Sequence, residues 1–89
     1  MTRGERWEEL EPLLLRQVDS VAYDEERCEV LMRLGRLYRE RLGRSDDARQ
    51  TFERLLGLED NHRPALEALE TLQRDARDFE ALFETLERL

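Results

Sequence analysis

The pentapeptide Leu34-Gly35-Arg36-Leu37-Tyr38 lies inside the run EVLMRLGRLYRERLGRSDDARQTFERLL, residues 29–56. Everything around Gly35 has helical periodicity, yet a glycine inside a helix costs about 0.5–1 kcal/mol relative to alanine. A position that tolerates that cost needs a reason in packing, and the residues on either side supply one.

Working outward, the chain divides into five amphipathic segments. The first runs from Arg6 to Ser20, with Trp7, Leu10, Leu14 and Val18 on one face. Pro12 sits inside it, so this helix either kinks there or begins later with Pro12 in its first turn. After Val21-Ala22-Tyr23, Asp24 is expected as an N-cap, followed by acidic residues in the first turn. The second segment ends at Gly43. Ser45 is expected to cap the third, whose stripe is Ala48, Phe52, Leu55 and Leu56, and Gly57 to end it. His62 falls in the turn before the fourth segment, which has Pro64 near its start and the stripe Ala65, Leu66, Leu69 and Leu72. The fifth carries Phe79, Leu82, Phe83, Leu86 and Leu89.

These segments repeat. Ala48, Thr51, Phe52 and Leu55 match Phe79, Leu82, Phe83 and Leu86 at a shift of 31, and Leu31 and Leu34 match Leu66 and Leu69 at a shift of 35. Trp7, Leu10 and Leu14 align with Phe79, Leu82 and Leu86. Two helix types alternating with a period between 30 and 40 signal a helical solenoid.

The pattern Leu31-x2-Leu34-Gly35-x2-Tyr38, followed by Ala48-x3-Phe52, resembles the tetratricopeptide repeat. That resemblance implies an all-α helical-hairpin solenoid of about five antiparallel helices. It also implies that Gly35 and Ala48 lie where the two helices of a unit press together. The chain would form one module over residues 1–89: an orphan second helix at 6–20, a first unit at 24–57 and a second at 62–89. It is either a whole protein or part of a longer array. The departures are specific. Nine residues separate Tyr38 from Ala48, one more than usual; Asp60 stands at the position of the family's proline; Glu70 and Gln73 replace the glycine and tyrosine in the later unit.

Composition narrows the function. Ala, Glu, Leu and Arg make up more than half of the 89 residues, Ile is absent, and all fifteen basic residues are arginine. That bias favours helix over sheet. A formal net charge of −7 argues against a nucleic-acid partner. No apolar run approaches a membrane span, and the N-terminal stretch lacks a secretory h-region, so a cytoplasmic location is expected. Cys28 and His62 are isolated soft ligands in different segments, so no metal, no cofactor and no catalytic residue is expected. Cys28 falls near the edge of the core stripe.

In tetratricopeptide proteins the side of the first helix away from its core lines a concave groove for peptides. Here that side carries Glu29, Met32, Arg36, Arg39 and Glu40, and the fourth segment contributes Pro64, Glu67, Thr71, Arg74 and Asp75. Met32, Arg36, Arg39, Thr71 and Arg74 are therefore the peptide-binding candidates, with the arginines suited to an acidic or C-terminal carboxylate. The simpler and preferred reading is that Glu29–Arg33 and Arg36–Glu40, each four residues apart, pair as ordinary surface charges.

The expected function is non-catalytic protein–protein interaction, as a scaffold or adaptor. The competing expectation is self-association into a homodimer or larger homo-oligomer through Trp7, Phe79, Phe83, Leu86 and Leu89. Ala65, Leu69, Leu72, Ala76, Phe79, Phe83 and Leu86 also form an unbroken heptad pattern. The turn near residues 73–78 is preferred, but one straight helix that exchanges between chains fits the same pattern.

Overall fold

The computed structural model describes residues 3–89, with side chains from Trp7 onward. It is all-α. Helix α1 spans Arg3–Ser20, α2 Asp24–Arg36, α3 Ser45–Leu58, α4 Arg63–Asp75 and α5 Phe79–Arg88. A π-helical turn, Leu37–Arg41, continues α2 without a break. Each helix packs on its neighbours in chain order, and the molecule is thin in one direction, 38 × 33 × 14 Å. Helices set side by side in a row give this shape, consistent with a helical-hairpin solenoid.

The core is one cluster. Val18 of α1, Leu31 and Leu34 of α2, and Phe52 and Leu55 of α3 are its most deeply buried large side chains. Ala48 and Ala65, both small, are fully buried within it. Gly35 is buried as well, and an ideal Cβ built on it would fall 2.5 Å from the Cε1 and Cζ of Phe52. Gly35 is thus glycine because the Phe52 ring occupies the space of a side chain. Gly43 is glycine for the opposite reason. Space around it is open, but its φ of +64° is a left-handed conformation that other residues adopt at a cost.

The extra residue between Tyr38 and Ala48 is accommodated by the π turn. Leu42 N–H donates to the Leu37 carbonyl at 3.0 Å, and Arg44 N–H to the Tyr38 carbonyl at 2.8 Å. Widening one turn takes up a residue without interrupting the helix.

Several helix ends differ from the sequence reading. Helix α1 passes through Pro12. Pro12 and Glu8 are both exposed, so the carbonyl that the missing N–H leaves free lies toward water. Asp24 is not the N-cap of α2; extended Tyr23 holds that place without a side-chain bond. The Asp24 carboxylate instead accepts from Arg27 Nη1 at 2.7 Å, while Arg27 donates to the carbonyls of Val18 and Val21, both at 2.9 Å. Arg27 thereby closes the end of α1, and Asp24 orients it. Ser45 likewise opens α3 rather than capping it. Arg44 is the N-cap residue, and its Nε donates to Asp47 at 2.7 Å. Helix α3 runs one residue beyond Gly57.

His62 is the N-cap of α4, its Nδ1 accepting from Ala65 N–H at 3.2 Å, with Pro64 in the first turn. Asp60, in place of the family's proline, has a carbonyl that accepts from Arg88 at 3.0 Å, tying the end of α5 to the α3–α4 link.

Helices α4 and α5 are separate. Arg77 turns the chain with a φ of +59°, Asp78 N–H donates to the Gln73 carbonyl at 2.9 Å, and the Asp78 carboxylate caps α5. The straight-helix alternative is therefore not what the structure adopts, and exchange through such a helix loses its basis. The match between α5 and α3 also fails in one respect. Leu82 and Thr85 are buried, whereas Phe79, Phe83 and Leu86 are 63%, 64% and 45% exposed. Phe83 stands at the position of Phe52, but Glu70 stands at that of Gly35, so a ring there would meet a side chain. Instead α5 is rolled, and the hydroxyl of Thr85 donates to buried Gln73 Oε1 at 2.7 Å.

Candidate functional site

Helix periodicity places Met32, Arg36 and Arg39 on one side of α2 and its π turn, and Pro64, Glu67 and Thr71 on the facing side of α4. These six, with Glu40 and Ala68, line a cleft of about 280 Å³. Four of the five sequence candidates, Met32, Arg36, Arg39 and Thr71, are thus brought together. Arg74 is not among the lining residues. It turns back to Glu70, one helical turn earlier, and donates to its Oε2 at 2.6 Å.

The expected surface pairs Glu29–Arg33 and Arg36–Glu40 are absent from the ion pairs among the described residues, and Arg36 and Arg39 enter none there. The floor of the cleft is Met32 and Ala68. Its rim holds two guanidinium groups and two carboxylates, Glu40 and Glu67, so it presents both signs of charge to a bound chain.

Arg36 and Glu40 also border a second, larger cleft of about 520 Å³ between α1 and α2. Trp7, Leu10, Leu14 and Leu37 give it an apolar lining, and Arg33 and Arg41 join Arg36 at its rim. The Arg41 guanidinium lies 4.7 Å from the centroid of the Trp7 ring. Trp7 is half-buried against the core, as a packing anchor, and presents its remaining surface to this cleft. The sequence reading took Arg33 only as a surface partner of Glu29 and did not single out Arg41. The only hint was the extra residue before Ala48, because the π turn carries Arg41 round toward α1.

A polar cluster locks α1 onto this framework. Tyr38 Oη donates to Glu11 Oε2 at 2.6 Å. Arg44 donates to Glu11 Oε1 at 3.1 Å, and its guanidinium lies 4.9 Å from the Tyr38 ring centroid. Burial, with the Glu11 carboxylate beside it, pushes the Tyr38 phenol up to about 12. Such a phenol stays protonated and serves as a hydrogen-bond donor. Cys28 is buried, and burial followed by the nearby Glu59 carboxylate raises its thiol. A protonated thiol is a poor nucleophile and a poor metal ligand.

Among the described residues, no group of three His, Cys, Asp or Glu side chains could hold a metal ion, and no helix is long and apolar enough to cross a membrane. The remaining candidates are exposed, Phe79, Phe83 and Leu86 on α5 and Leu89 at its C-cap.

No curated protein and no solved structure matches the chain. A family model does match: the tetratricopeptide repeat, over residues 29–62, from the middle of α2 through the π turn and α3 to the cap of α4. Over those residues the chain is similar to a tetratricopeptide repeat, a module generally involved in protein–protein interaction, and the Gly35–Phe52 contact lies within the matched stretch.

Proposed function

We propose that the chain is a non-catalytic interaction module, scaffold or adaptor, whose α2–α4 cleft holds an acidic peptide or a C-terminal carboxylate. The observation that carries this reading is the meeting of Arg36 and Arg39 with Met32 and Thr71 in one cleft. Neither guanidinium is committed to an ion pair among the described residues. A carboxylate there takes charge-assisted hydrogen bonds from the arginines. Glu67 and Glu40 accept from backbone N–H groups or a basic side chain of the same ligand, which fixes its direction. The module divides into an orphan helix at 6–20 and units at 24–57 and 62–89, and it works in the cytoplasm, where Cys28 remains a thiol.

The test is capture of short peptides from a pool with free C-terminal carboxylates. Arg36→Ala with Arg39→Ala should abolish capture while leaving helicity unchanged. Retention by the double variant would move the ligand elsewhere.

A second reading, homo-oligomerisation, is favoured by the exposed stripe of Phe79, Phe83 and Leu86 on α5. Exposed side chains of this size in a row, rather than scattered singly, mark a contact surface.

A further inference from the structure

We propose that the occupant of the Trp7 cleft is helix α5 of a second copy of this chain, docked head to tail. The inference deepens the self-association reading and shares only Arg36 and Glu40 with the α2–α4 cleft.

The two surfaces are complementary in kind. The cleft has an apolar floor of Trp7, Leu10 and Leu37 and a rim of three arginines, Arg33, Arg36 and Arg41, against a single carboxylate, Glu40. None of the three arginines enters an ion pair among the described residues. In a chain of net charge −7, this is a local excess of positive charge beside exposed apolar surface. Such a rim attracts an acidic partner and turns away a basic one.

Helix α5 presents the counterpart. Phe79, Phe83 and Leu86, spaced four and three apart, form one exposed stripe. At 100° per residue, Glu80, Glu84 and Glu87 all fall on the same flank of that stripe, away from Leu82 and Thr85, which face α4. These glutamates are also outside every ion pair among the described residues. An apolar stripe with one acidic flank fits an apolar floor with one basic rim. The rings of Phe79 and Phe83 would enter beside Trp7, and the glutamates would meet Arg33 and Arg41.

One chain cannot make this contact with itself. Helix α1 packs on α2 and the π turn, and α5 packs on α4, at the other end of the row. The contact joins two different surfaces, so it is heterologous. It leaves a free cleft at one end and a free α5 at the other, and assembly proceeds to a ring or an open chain rather than stopping at a twofold dimer.

Sedimentation of mixed variants tests this. The 89-residue chain should gain mass with concentration across the micromolar range, and less so in high salt. A cleft-blocked chain, Arg33→Glu with Arg41→Glu, and an α5-blocked chain, Phe79→Ser with Phe83→Ser, should each be monomeric with unchanged circular dichroism. Mixed in equal amounts, they should form a heterodimer and nothing larger, because each supplies the surface the other lacks. A charge-swapped chain, Glu80→Arg with Glu84→Arg, should bind the cleft-blocked chain more tightly than it binds the wild type. Self-association of the cleft-blocked chain alone would overturn head-to-tail docking in favour of α5 against α5, leaving the self-association reading intact. Failure of the two blocked chains to combine would also overturn the docking. A wild type that stays monomeric throughout would overturn both and assign the cleft to a foreign acidic helix or to none.

Discussion

The ring of Phe52 lies where the side chain of residue 35 would be, with its Cε1 and Cζ 2.5 Å from an ideal Cβ on Gly35. Phe52 is fully buried in α3. The contact sets how closely α2 and α3 approach and, with them, the hairpin that carries Met32, Arg36 and Arg39. Gly35→Ala should therefore destabilise the chain by about 1–3 kcal/mol despite alanine's better helix propensity, and Gly35→Leu by more. Urea denaturation measures both. Phe52→Leu made in the Gly35→Ala background should cost less than Phe52→Leu alone, since the two changes share one contact. An unchanged or raised midpoint for Gly35→Ala would refute the close-packing account.

Tyr38 should give the fold a stability that fails in alkali. Its phenol is raised from 10 to about 12 by burial and by Glu11. A phenol held protonated in the fold contributes fully below the unfolded value of 10, and the contribution is lost as pH rises from 10 through 12. Its size corresponds to about 2–3 kcal/mol. Thermal melts across that window should fall steeply for the wild type and less steeply for Tyr38→Phe. At neutral pH Tyr38→Phe should cost about 1–3 kcal/mol, because the Glu11 carboxylate loses its shortest donor.

Arg77 carries a left-handed φ of +59° without being glycine. Arg77→Gly should relieve that conformation and raise stability by up to about 1 kcal/mol, visible as a higher urea midpoint with an unchanged slope. A destabilised variant would show that the arginine side chain holds the α4–α5 turn by contacts of its own.

Cys28 should resist alkylation in the folded chain. It is 2% exposed, and burial with Glu59 keeps the thiol protonated. Iodoacetamide labelling followed by mass spectrometry should be slow under native conditions and rapid in urea. Rapid native labelling would mean that α2 opens readily from the core.

What the sequence made legible was local periodicity and close packing. Gly35, Tyr38, Ala48 and Phe52 read correctly because a small and a large residue three or four apart on each of two adjacent helices carry their contact in their spacing. The cleft residues Met32, Arg36, Arg39 and Thr71 were reachable from the same periodicity. The misread parts depend on competition between neighbours. Asp24 and Ser45 look like caps, but Arg27 recruits the first carboxylate, and Arg44 takes the cap position ahead of the second. The extra residue before Ala48 was visible, whereas its conversion into a π turn, and so the placement of Arg41 over Trp7, was not. Phe83 repeats Phe52 in sequence but not in position, because the glycine that makes room for the ring in the first hairpin is Glu70 in the second.

The central functional claim is that the cleft between α2 and α4 receives a carboxylate-bearing peptide. Nuclear magnetic resonance titration of the isotope-labelled chain with captured acidic peptides, each also made with an amidated C-terminus, tests it most directly. The account predicts shifts concentrated at Met32, Arg36, Arg39 and Thr71, weakened for the ligand by amidation when its C-terminal carboxylate is the anchor, and lost with Arg36→Ala and Arg39→Ala. Shifts confined to α5 or to Trp7, or equal binding by the double variant, would contradict it.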